Sequence, residues 1–180
     1  MERPISENAR RRRAGHDHEE PSADVVAQAL KERVYASFTG LAIVLVLRGH
    51  EPTAQVATYS LFIGVLGITM AGFAADVIAH LAAHASLPTG TEMRKMVRIA
   101  SGAFSTAGVP LVLLVISWLG WMDLDAALLT AAIVYLATLG LVGYVAVRRA
   151  GLSWWMQLLA LLALVVLGAI VVGLQLLAHA

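Results

Sequence analysis

Within the stretch FAADVIAHLAAH, residues 73–84, an aspartate and two histidines recur at intervals of four: Asp76, His80 and His84. On a helix this spacing lines the three along one face, with Val77, Ile78 and Leu81 at the flanks. Imidazoles four apart can share a divalent metal ion, and a carboxylate one turn away can act as a third ligand or orient an imidazole from behind. The same trio can pass protons, because histidine titrates near neutral pH. Asp76 is the one acidic residue inside the long apolar runs. A carboxylate within a membrane is costly and is a functional candidate by default.

A plainer reading stands beside these. From Thr53 the helix can run without proline to about Ser86. That is roughly 50 Å at the standard rise, against a hydrocarbon core of about 30 Å. Counted from the far end, Asp76 falls near the membrane boundary and both histidines beyond it. The stripe can then face water, with Asp76 pairing to Arg94, Lys95 or Arg98.

The elements that position the stripe follow from composition. The chain has 180 residues, 59% of them hydrophobic, and a mean hydropathy of +0.76. A soluble domain of this size is about 45–50% apolar, so this chain belongs in a membrane. Its 13 basic and 12 acidic residues nearly cancel, so net charge argues for neither nucleic acid nor an acidic substrate, and membrane lipid is the partner expected. It has no cysteine, which removes disulfides, thiolate metal sites and thiol nucleophiles.

Residues 1–22 hold four consecutive arginines at 10–13 and the cluster His16, Asp17, His18 and Glu19, with almost no large apolar side chain. Such a segment cannot bury enough surface to offset its ordering entropy and reads as a disordered cytoplasmic tail. Its arginines can act as a topology signal or attract anionic lipid.

Residues 23–180 read as an all-α polytopic transmembrane helix bundle of five helices, with spans at about 30–48, 53–85, 96–119, 125–147 and 154–178. Crossing the hydrocarbon takes about 20 helical residues, and the first apolar run, residues 34–47, is short of that. It can borrow from residues 23–33, where Val25, Val26, Ala29 and Leu30 share a face and Lys31 and Arg33 can reach the interface. Charge placement favours a full crossing. The tail arginines, Arg94, Lys95, Arg98, Arg148 and Arg149 then share one side, and only Arg48 is basic on the other. The positive-inside rule puts the N-terminus in the cytoplasm and the C-terminus outside. Because RGHEP follows the first run, with no small-residue cleavage site, the run is not a signal peptide.

Tyr35, Trp154 and Trp155 fall at cytoplasmic ends, and Trp118 and Trp121 at the outer end, as interfacial aromatics should. Pro110 is expected to kink or locally unwind the third span, freeing a carbonyl that Ser105 or Thr106 helps to satisfy. Small residues at Gly64, Gly67, Ala71 and Ala75, and at Ser101, Ser105 and Gly108, mark faces where helices approach closely, within one chain or between copies.

Enzyme signatures are absent: there is no HExxH, GxSxG or phosphate-cradling glycine loop. His80 and His84 share one helix and no other span has an interior histidine, so a haem held by two histidines on facing helices is not expected. No cofactor is expected beyond the divalent metal considered for Asp76, His80 and His84.

The segment KERVYASFTGLAIVLVL, residues 31–47, followed by a second span ending DVIAHLAAH, resembles small multi-pass integral membrane proteins of high-GC actinobacteria. In these the first helix opens on an E-R-V-Y-G/A-S/T pattern and the second closes on paired A-H steps. The resemblance implies a bacterial inner membrane and a multi-helix bundle, and carries no activity across. Two functions stay open. One is a small, oligomeric channel or transporter for protons or ions that uses the polar stripe. The other is a non-transporting membrane subunit or scaffold that recruits partners or anionic lipid.

Overall fold

The computed structural model describes residues 23–149 and nine separate positions between 155 and 177, all nine helical and exposed. The tail 1–22, with its arginine run and its His16, Asp17, His18 and Glu19 cluster, lies outside the described residues. Trp154 and the expected span over 154–178, as a continuous element, do so as well.

Among the described residues all regular structure is helical: α1 Ala23–His50, α2 Ala54–His84, α3 Gly90–Phe104, a 3-10 turn Ser105–Ala107, α4 Gly108–Trp118 and α5 Leu124–Arg149. Each boundary has a local cause. Thr53 caps α2, its Oγ1 accepting from Val56 N at 3.3 Å. Ala85, in the left-handed region at φ 50°, closes α2 by donating to Leu81 O. Thr89 and Glu92 form a reciprocal capping box at the start of α3. Gly120, at φ 80°, turns the chain between α4 and α5, and Asp123 accepts from Ala126 N at 3.2 Å to start α5.

The expected distortion near Pro110 is found one turn upstream of it. The helix tightens into the 3-10 turn at Ser105–Ala107 and restarts at Gly108, so Pro110 sits in a first helical turn, where its missing N–H leaves no intrahelical bond unmade. Ser105 and Thr106 do turn their hydroxyls onto backbone carbonyls, those of Gly102 and Ala103, at 2.7 and 2.8 Å.

Successive rods, with α3 and α4 as one, run in opposite directions, so α1 and α3 run the same way; α1 lies in the middle against α2, α3 and α5, and α4 lies between α2 and α5. The interior mixes small side chains with leucine, valine and a tyrosine. Ala36, Ala57, Ala103, Ala107, Ala127 and Ala131 are all at or near full burial, with Leu41, Leu61, Leu114, Leu128 and Tyr135 between them. Many large apolar residues point outward: Phe62, Ile63, Met70, Val112, Ile133 and Leu136 are exposed. In water each such side chain would forgo burial worth about 1.5–3 kcal/mol; in lipid the exposure costs nothing, and backbones brought close by small residues supply the attraction. Three helical stretches, Ala54–His84, Gly90–Trp118 and Leu124–Arg148, are long and apolar enough to cross a membrane. α1 falls short of that standard because Lys31, Glu32, Arg33 and Arg48 bracket its apolar run.

Close helix approaches differ from the small-residue stripes read in the sequence. Gly67, Ala71, Ala75, Ser101, Ser105 and Gly108 are exposed; of that set, Gly64 makes a tight contact, beneath Ile43. The other close contacts are Gly40 of α1 under the Tyr135 ring and Gly72 of α2 against the Glu32 carboxylate. At both, a Cβ would overlap the neighbour.

Candidate functional site

A cluster of titratable residues lies at the end of the bundle where α1 begins, α2 ends and α3 begins. Asp76 and His80 are half-buried there and His84 is exposed. The histidine rings stack on one another, with centroids 4.5 Å apart and planes 20° apart, and the His84 Nδ1 lies 3.3 Å from the His80 carbonyl oxygen. These contacts are what a four-residue spacing on one helix face produces. His80 is the more enclosed ring, and its Nε2 lies 3.8 Å from Glu92 Oε2, an ion pair whenever the imidazole is protonated.

Glu92 comes from the first turn of α3, ahead of the apolar run that begins near Met96. Thr89 donates to its Oε2 from both N and Oγ1, at 2.8 and 2.7 Å. These bonds favour the charged form, the hydroxyl's most, and hold the carboxyl below the usual glutamate range, with His80 adding a smaller pull.

Asp76 makes no hydrogen bond or ion pair among the described residues, and the anticipated pairing with Arg94, Lys95 or Arg98 is not formed. The ion pairs found are Lys31 with Glu32, Arg48 with Asp125, and His80 with Glu92. Among the described residues no three histidine, aspartate or glutamate side chains gather closely enough to hold a metal ion.

Glu32 is the residue that sequence reasoning passed over. It is 7% exposed, its carboxylate presses on Gly72 of α2, and its nearest cation is Lys31, with Nζ 3.4 Å from Oε1. Gly72 lies one helical turn from Asp76, so the buried carboxylate and the half-buried one are neighbours along α2. The signal was present. Val25, Ala29, Glu32, Ala36 and Gly40 follow one another at three- and four-residue steps, which puts Glu32 on the interior stripe of α1.

Deeper still, the hydroxyls of Ser37 and Tyr135 are buried without a hydrogen-bond partner. The bundle thus holds carboxylates and imidazoles at this end and two unpartnered hydroxyls in its interior. Groups of these kinds can bind and hand on protons, or ligate a small cation.

An inside-out distribution of side chains, three helices of membrane-crossing length and a polar cluster at one end are the marks of a helical membrane protein. The chain matches no protein-family model, no curated protein and no solved structure.

Proposed function

We propose that this chain is a small, non-catalytic multi-pass protein of the bacterial inner membrane that moves protons or small cations, taking them up at Asp76 and His80 and passing them inward to Glu32. The observation that carries the reading is the burial of Glu32 against Gly72, one turn from Asp76. A buried carboxylate is expensive to maintain, and one that continues a titratable stripe from the aqueous end has a use for that cost.

In this reading α1 crosses fully, giving five spans with the N-terminus cytoplasmic and the C-terminus outside. Support comes from the Arg48–Asp125 pair, which neutralises the one basic residue assigned to the outer side. Several copies would assemble, because five helices with an alanine-rich interior enclose little pore by themselves.

The test is proton flux in liposomes under an imposed pH gradient. Glu32→Gln, Asp76→Asn and His80→Ala should each reduce it severalfold or more; flux of equal size in all three would end the assignment. The alternative, a non-transporting subunit, draws on Tyr135, whose ring fills the gap between α1 and α5 above Gly40. It predicts no flux from the wild type and co-purifying proteins that are lost when residues 1–22 are removed.

A further inference from the structure

A groove of about 270 Å³ opens on the outer surface between α2 and α3, lined by Leu66, Thr69, Met70 and Phe73 on one side and Val97, Ala100, Ser101 and Phe104 on the other. Its inner end is shut by Phe104, which packs edge-on against Phe62 with centroids 5.8 Å apart. From Val97 to Phe104 it extends about 10 Å along the helices. Its other end opens toward the polar end of the bundle.

The α3 side of that mouth is basic, and Asp76 stands one turn beyond Phe73 on the α2 side. Residues 94, 97, 101 and 104 recur at three- and four-residue steps, so Arg94 stands one turn beyond Val97 on the stripe that lines the groove, with Arg98 beside it. Both arginines are exposed, and neither side chain has a carboxylate partner among the described residues. Glu92, the nearest acidic residue in sequence, is already taken by Thr89 and His80. An apolar trough that ends at unpaired guanidinium groups matches one kind of molecule, with a hydrocarbon chain at one end and an anion at the other.

We propose that this groove binds a phospholipid with an anionic headgroup, one acyl chain lying between α2 and α3 and the phosphate held by Arg94 and Arg98. Guanidinium groups suit phosphate because they donate in pairs, and basic pockets between membrane helices are established sites for anionic lipid heads. The inference is independent of transport; it needs only that the bundle sits in lipid.

The full-length protein in mild detergent is titrated with a synthetic phosphatidylglycerol and, separately, with a phosphatidylcholine of the same chains, and bound lipid is counted by native mass spectrometry. The wild type should hold one phosphatidylglycerol at least tenfold more tightly than phosphatidylcholine. The double variant R94Q/R98Q should erase that preference, at about fivefold per charge removed, and Ala100→Phe, which fills the trough, should weaken both lipids. Phosphatidylglycerol with a photoreactive acyl chain should label wild-type α2 and α3 near Met70, Phe73 and Val97, a readout that requires no variant to fold. Equal affinity for the two lipids would overturn the proposal, as would labelling confined to other helices. So would a preference that survives R94Q/R98Q but vanishes on deleting residues 1–22, which would put the headgroup on the tail arginines. A dimer in which a second copy shields the groove from label would overturn it too.

Discussion

Arg48 donates from Nε and Nη2 to the two carboxylate oxygens of Asp125, at 2.9 and 3.2 Å. The paired geometry ties the last turn of α1 to the first turn of α5, so the ends of these helices lie together. Cysteines placed singly at His50 and Asp123 in this cysteine-free chain should therefore react with a membrane-impermeant maleimide from the same side of the membrane. Cysteines at Arg94 and Arg148 should react only from the opposite side. Labelling of positions 50 and 94 from one side would show that the strands of charge are not separated by lipid.

The two tight glycine contacts should respond differently to the same change. At Gly40 a methyl group meets the rigid, fully buried Tyr135 ring, so Gly40→Ala should cost about 1–3 kcal/mol by overpacking. At Gly72 it meets the tip of Glu32, which can swing aside. Gly72→Ala should leave thermal stability in detergent nearly unchanged while lowering flux, because it displaces the carboxylate on which the proposed path depends.

Tyr135→Phe offers a converse check. The hydroxyl is buried without a partner, and removing an unpaired polar group of this kind is neutral or stabilising, by up to about 1–3 kcal/mol. Unfolding of the purified variant in detergent should occur at the same temperature as the wild type or higher. A clear loss would mean that the hydroxyl is bonded in the membrane.

Glu92 sets an acid limit on the loop between α2 and α3. Its carboxyl is held below the usual glutamate range chiefly by the Thr89 hydroxyl. A lowered folded value means that the contribution is fully present above the unfolded value, about 4.3, and fades as pH falls through the folded one. Protection of the amides in residues 85–95, measured relative to their intrinsic exchange rate at each pH, should therefore hold above about pH 5 and fall in stronger acid. Thr89→Ala should cost about 1 kcal/mol of helix capping and move that onset upward in pH.

Asp76, His80 and His84 should not retain a metal. Elemental analysis of the purified protein is expected to find well under one divalent ion per chain, unchanged in His80→Ala. A stoichiometric ion that is lost in that variant would redirect the reading of the stripe from protons to metal.

Most of the architecture was legible because length, hydropathy and punctuation agree. Thr53 announces a helix start, Pro110 announces a distortion nearby, and the basic residues mark one end, whereas the third helix starts at Gly90, ahead of the expected 96, on the capping box of Thr89 and Glu92. What escaped was which face of each helix is inside. In lipid, outward faces carry Phe62, Ile63 and Leu136, while inward faces carry alanine and glycine beside Leu61, Leu114 and Tyr135, so a search for large apolar stripes does not single out the core. Small-residue stripes fail for a related reason: Gly67, Ala71 and Gly108 are as small as Gly40 and Gly72, and only the neighbour that arrives in three dimensions separates a contact from an open surface. Asp76 stood out in the sequence by contrast with its surroundings. Glu32, lodged among Lys31 and Arg33, did not, although it is the more deeply buried of the two.

The Arg48–Asp125 pair joins residues 77 apart in the chain. In the proposed topology this has a consequence for biogenesis. When α1 first leaves the ribosome, its far-side arginine has no counter-ion, and none arrives until α5 has been synthesised. Until then the first helix is held across the bilayer by a short greasy segment with a bare cation at its leading edge. Its commitment to the membrane is provisional, and is sealed only when α5 has followed it into the bilayer.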